Sequence, residues 1–306
     1  MGSKDYPTHA GLPVMEKLPG GLISIHVAIL LFGLAGLFGK FLALDAILIV
    51  QGRTLIAFVV LLAFMRLMRM PILLRDRRQW IWLTITGAVL GVHWIGFFRS
   101  IQVSSVAIGL LSFSSYQFFT TFMEPLFFRE RLRQMNVIAA IVVMAGLALI
   151  ATSGTTESSG LPTDNVIQGG GWGLFSGFSF AVLTLLNRKQ VERLSALNVA
   201  CWQNGIAAMT VFPLSLSLEW NLTLRDVGLL LLLGFFCTAA GHVMLINGLR
   251  QVRAQLASLL HAGLEPVYAI VFALLLLNEV PGLQTLSGGL LIVGVSILMS
   301  IEHASS

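Results

Sequence analysis

Glu265 and His261 stand four residues apart, immediately before Pro266, so on a helix their side chains share one face. Pro266 lacks an N–H and leaves the carbonyl one turn back without its helical partner. A carboxyl and an imidazole beside such a break can take up and release protons, or hold an ammonium group. The plainer alternative is a neutral glutamic acid, bonded locally, that holds the kink. His93 and His242 titrate near neutral pH when unperturbed and could carry protons; the alternative for each is a neutral ring donating to a carbonyl on a neighbouring helix. Arg53 presents a fork that suits a carboxylate or phosphate. For Arg53 the preferred reading is structural, as an ion pair with Glu124 or within a cage of carbonyls. No His, Cys and Asp spacing suits a metal, and HExxH is absent.

All of these groups fall inside long apolar runs. The chain has 306 residues, 56% hydrophobic and 11% charged, with a mean hydropathy of +0.87. Soluble domains carry about 25% charged residues, so a water-soluble globule is excluded. Thirty Gly, twenty Phe and eleven Met fit a helical membrane protein in which small residues let helices approach. The pairs Gly87/Gly91 and Gly173/Gly177 have that small-residue spacing. An ionisable group at a helix centre in lipid costs roughly 2.5–3.5 kcal/mol, so the mid-span Arg53, His93, Glu124, His242, His261 and Glu265 should face a cavity or a partner. The two cysteines, Cys201 and Cys237, lie in apolar stretches and imply no disulfide framework.

A hydrocarbon layer of about 30 Å needs about 20 apolar residues per helix. The sequence offers ten such spans, near 22–39, 46–65, 80–98, 103–127, 136–152, 171–187, 197–218, 227–248, 255–277 and 283–301. Residues 1–21 read as a polar tail, 302–306 as a second tail, and 153–170, rich in Ser, Thr and Gly, as an exposed linker. With the N-terminus cytoplasmic, only Lys40, Arg99 and Arg225 fall in outer segments, Arg53 lies within a span, and the remaining fifteen of the nineteen Lys and Arg lie on the inner side. This bias predicts that both termini are cytoplasmic, and it accounts for the net charge of +5 without nucleic acid.

The halves also resemble each other. At an offset of 149 residues His93 falls on His242, Gln102 on Gln251, Val103 on Val252, Leu110 on Leu259, Leu111 on Leu260 and Glu130 on Glu279. Five spans is an odd number, so the second copy enters the membrane from the opposite side. Inverted repeats of this kind characterise many secondary transporters, with the ligand near the midplane.

The ten spans, the doubled five-helix unit and the paired segments Ser105–Leu132 and Ala254–Pro281 resemble the drug/metabolite transporter superfamily, EamA type. In that family the segment carries a mid-helix proline and then an acidic residue opening the next loop. The second copy has both, as Pro266 and Glu279. The first has Glu130, but Gln117 stands where the proline would, with Pro125 further on. The resemblance implies an all-α polytopic membrane protein: a first five-helix repeat over 22–152 and a second over 171–301, in the inner membrane. It implies export of small metabolites, amino acids or related zwitterionic and anionic compounds, by alternating access. A multidrug or lipophilic-cation exporter is the alternative, and an intramembrane enzyme a more distant one, since no serine-protease, zinc or phosphate-loop motif is present. The expected substrate-binding set is His93, Trp94, Ser112, Tyr116, Gln117, Trp202, Gln203, His242, Asn247, His261 and Glu265, with Glu265 and His261 also coupling transport to protons. No cofactor is expected. The expected partners are the substrate, the bilayer and protons, with the chain a monomer or homodimer.

Overall fold

The computed structural model describes residues 20–72, 74, 76–128, 134–151, 163–192, 194–278 and 280–305. Among them there are helices and no strands. In chain order these are α1 (Gly21–Phe41), α2 (Ala46–Leu67), α3 (Arg77–Val103), α4 (Val106–Phe113), α5 (Tyr116–Phe128), α6 (Gln134–Ala151), α7 (Thr163–Gln190), α8 (Ala196–Ser215), α9 (Leu224–Leu232), a π-helical segment (Leu233–Ala240), α10 (Gly241–Leu249), α11 (Ala254–Leu277) and α12 (Leu283–Ser305). Seven helical stretches are long and apolar enough to cross a membrane, counting α4 with α5 as one and α9 through α10 as another. The three remaining spans of the sequence fall on α6, α8 and α12. Glu130, Glu279 and residues 153–162 lie outside the described residues.

Short polar side chains set the helix boundaries. Asp45 caps α2 through the Ile47 N–H at 2.9 Å, Ser105 caps α4 through Ile108, and Ser195 caps α8 through Asn198. At α9, Thr223 and Asp226 form a reciprocal capping box, each satisfying a backbone donor the helix cannot. Asn278 ends α11 in the left-handed region, at φ 55°, where Asn is tolerated better than most residues.

The structure departs from the spans in three places. A helix starts at Thr163 rather than near 171, so the last part of the expected linker is helical. α12 runs on to Ser305 through the expected tail. The fourth span is two helices, because Ser104 and Ser105 end α3 and cap α4, and Ser114–Ser115 then breaks the run again. At that second break the Ser115 N–H donates to Ser112 O and the Gln117 N–H to Ser114 O, both at 3.2 Å. This tight turn takes the place of the proline that the first copy lacks.

The packing obeys a two-fold exchange of halves, with α1 equivalent to α7, α2 to α8, α3 to α9–α10, α4–α5 to α11, and α6 to α12. The contact of α3 with α7 is mirrored by α10 with α1, and that of α4 and α5 with α7 by α11 with α1. The pairs α2·α8, α6·α12 and α4–α5·α11 are each their own mirror. Glycines permit the closest approaches. A methyl on Gly87 would meet Ile206 Cβ at 2.7 Å, and one on Gly177 would meet the Phe113 carbonyl at 2.8 Å, so both small-residue pairs are helix contacts.

Candidate functional site

The site lies where the two halves cross. On α11, His261 Nε2 is 2.6 Å from Glu265 Oε2, and both side chains are buried. Facing them from α5 is Tyr116, whose ring centroid lies 5.4 Å from that of His261. At the repeat offset Tyr116 corresponds to Glu265, and Ser112 to His261. The Tyr116 hydroxyl donates to Ser258 O at 2.7 Å. The Ser114 hydroxyl bonds Leu110 O on its own helix at 3.0 Å and also lies 3.3 Å from Ala262 O, the carbonyl that Pro266 leaves without a helical donor. The serine break of one half thus shares its single proton with the proline break of the other. Ser114→Ala should lower stability by about 1 kcal/mol, read as a drop in thermal midpoint, while Ser114→Thr largely preserves it.

Rings enclose this crossing. His93 packs against Trp94 at 4.7 Å, Phe180 at 4.8 Å and Phe113 at 5.4 Å. Phe32 stacks on His261 at 5.5 Å and meets Trp94 edge-on at 6.0 Å. Six helices contribute: α1, α3, α4, α5, α7 and α11. Above Trp94 sits Arg53, fully buried, its guanidinium carbon 3.6 Å from the ring centroid. Arg53 Nε donates to Thr238 Oγ1 at 2.8 Å. Thr238 in turn donates to Leu233 O, five residues back, so the π-helical segment aims this hydroxyl at α2.

Several buried polar atoms here have no protein partner: Arg53 Nη1 and Nη2, Trp94 Nε1, and Nε2 of His93 and His242. Such groups are scarce in folded proteins. The neighbours of the two histidines specify opposite tautomers. Ser176 donates its hydroxyl to His93 O, so His93 Nδ1 carries the proton and donates to Ser176, leaving Nε2 a bare acceptor. Asn204 Nδ2 donates to His242 Nδ1 at 2.9 Å, so His242 Nε2 carries the proton.

Of the expected residues, His93, Trp94, Tyr116, His261 and Glu265 come together in the ring cluster. Ser112 and Gln117 are buried beside it on α4 and α5. The others lie apart. His242 is held by Asn204, and Asn247 donates to Ser24 at 2.9 Å. Gln203 Nε2 is tied to Thr86, Asn187 and Gln190, and Gln190 also lines a cleft of about 250 Å³ with Asp76, Arg78, Trp82 and Lys189. Trp202 is a correction: its indole donates to Ile72 O at 3.0 Å and packs between Phe58 and Trp80, because its side of α8 faces α2 and the start of α3. A second correction concerns Glu124, which pairs with Arg188 on α7 and not with Arg53. Arg99, near the end of α3, pairs with Asp45 at 3.3 Å. Phe32, Phe180, Ser176 and Thr238 gave no sequence signal, since nothing distinguishes them from neighbouring apolar or small residues until the helices are packed.

Comparison with known proteins agrees with the doubled fold. Residues 19–152 and again 168–301 match the EamA-like transporter family. The chain belongs to that family. As an EamA-like protein it is multi-pass and membrane-embedded. It is similar to the uncharacterized transporter YxxF of Bacillus subtilis, 23% identical over 216 residues, covering 70% of this chain and 68% of that one. It also resembles the uncharacterized transporter sll1164 of Synechocystis, 22% identical over 242 residues, covering 74% and 67%. One crystal structure superposes with a TM-score of 0.71 at 16% identity, over 92% of this chain and 96% of its own, which is likeness of fold.

Proposed function

We propose that this EamA-like protein is a secondary active transporter that exports small zwitterionic or anionic metabolites, amino acids among them, across the inner membrane by alternating access. In this reading ten helices cross the bilayer as two inverted five-helix halves with both termini cytoplasmic. The observation that carries it is the buried His261–Glu265 pair inside the ring cluster, on the helix that crosses its own repeat equivalent. Inverted repeats bring their binding site to that crossing, and an ionisable pair held there at the cost of desolvation points to a ligand or a proton. Rocking of one half against the other would expose the cluster to each side in turn, with the cleft beside Gln190 as a vestibule closed by the Gln203 bonds.

One feature favours a second reading. An aromatic enclosure beside a carboxylate also suits a flat lipophilic cation, against which the fully buried Arg53 stands as a repulsive charge. Proteoliposomes containing the purified protein decide between them by counterflow. Trans-stimulated uptake of amino acids or carboxylates, with none of the flat cation ethidium, is the expected result. Counterflow of the cation alone overturns the metabolite reading, and counterflow of neither overturns transport of both classes.

A further inference from the structure

We propose that Arg53 is the receptor for the carboxylate of the ligand, gripping it with the paired N–H groups of Nη1 and Nη2. The inference deepens the transporter reading, on which the identity of that ligand as cargo rests. Arg53 is fully buried on α2, where a charge is costly to hold, and an arginine keeps its charge at any working pH. Its surroundings fix the guanidinium without neutralising it. Nε is taken by the Thr238 hydroxyl at 2.8 Å, one face lies on Trp94 at 3.6 Å, and Phe98 is 5.2 Å away. None of these is an anion. The outer edge of the fork, Nη1 with Nη2, has no partner, and two parallel N–H groups are matched by the two oxygens of a carboxylate.

The anion is not supplied from within. Among the described residues the buried carboxylates are committed elsewhere: Glu124 to Arg188, Glu265 to His261, and Asp226 to Thr223. Nor does the position demand a charge for packing. Arg53 follows its cap Asp45 by the same spacing as Gln203 follows Ser195, and in the second half a neutral glutamine bonded to Thr86, Asn187 and Gln190 fills the equivalent place. The beginning of the ring cluster, Trp94 with its own unpartnered Nε1 and then Phe32, continues directly from the guanidinium. The site therefore fits an organic acid or amino acid whose carboxylate meets Arg53 and whose apolar or ring-bearing body lies along Trp94 and Phe32. An inorganic anion such as chloride shares only the first half of that chemistry.

The test is equilibrium binding to the full-length protein in lipid nanodiscs, using three probes of one shape: phenylacetate, L-phenylalanine and phenethylamine. The two carboxylates should bind and the amine should bind at least about tenfold more weakly. Arg53→Gln should remove the preference, and Arg53→Lys, which keeps charge but loses the fork, should weaken phenylacetate by about tenfold or more. If Arg53→Gln elutes aggregated, the lysine variant decides. Equal binding of the amine, unchanged phenylacetate affinity in the folded variants, or no binding by any probe overturns the proposal. So does displacement of phenylacetate by chloride at equal concentration, which would make the site one for inorganic anions. Counterflow on the same preparations separates the two readings. Arg53-dependent binding without counterflow keeps the receptor and removes the transport reading; counterflow insensitive to Arg53→Gln does the reverse.

Discussion

Glu124→Gln should be strongly destabilising, at about 3–5 kcal/mol, because it removes the carboxylate from a largely buried ion pair. Glu124 is 2% exposed on α5, and Arg188 reaches it from α7 while its guanidinium carbon lies 4.2 Å from the Phe128 ring centroid. The pair joins the broken helix of one half to the first helix of the other. Thermal unfolding of the detergent-solubilised protein checks this, with the double variant Glu124→Gln/Arg188→Gln as control. The double variant should recover much of the lost midpoint, since the cation that has lost its carboxylate is then neutral as well. A single variant that melts within a degree of wild type would mean that Arg188 turns outward to the headgroups at little cost.

The second large effect is functional. Under the proposed coupling, proton and substrate share the His261–Glu265 pair, so changing pH changes apparent substrate affinity by the about 5–150-fold typical of coupled sites. Glu265→Gln keeps the shape but has no carboxyl proton to exchange, and that ratio should fall while counterflow, which needs no net proton movement, persists. His261→Ala should lower both, because His261 also stacks on Phe32 and meets Tyr116 edge-on. Initial rates in proteoliposomes across a pH series measure this. A Glu265→Gln variant with the wild-type pH profile would remove the coupling role.

Local relations were legible in the sequence and distant ones were not. The spacing of Glu265 and His261 along one helix is a property of four consecutive bonds, and the structure has them 2.6 Å apart. Helix starts at Asp45, Ser105 and Ser195 follow from side chains that bond two or three residues onward. The break at Ser114–Ser115 was hidden because serine, unlike proline, does not forbid a helix; it only offers hydroxyls that a partner helix can use. Arg53, Trp94 and Thr238 meet from α2, α3 and the π-helical segment, and no periodicity links those positions. Trp202 shows the reverse error: an aromatic beside Gln203 in mid-span reads as a pocket residue, yet neighbours on a helix point about 100° apart, and its ring turned to Trp80.

The serine break in α4–α5 faces a continuous α11 that carries its proline within the helix. Under the proposed alternating access, two identical halves would make the inward-facing and outward-facing forms equivalent by the two-fold exchange and equal in free energy, visited equally in the absence of any load. Here the hinge differs between the halves: one copy bends at two serines, of which Ser114 hydrogen-bonds through its hydroxyl, the other at a ring that has no proton to give. In the proposed cycle the two forms are therefore distinct states with different resting populations, and the direction in which the empty protein prefers to open is set by which of these unlike joints yields first.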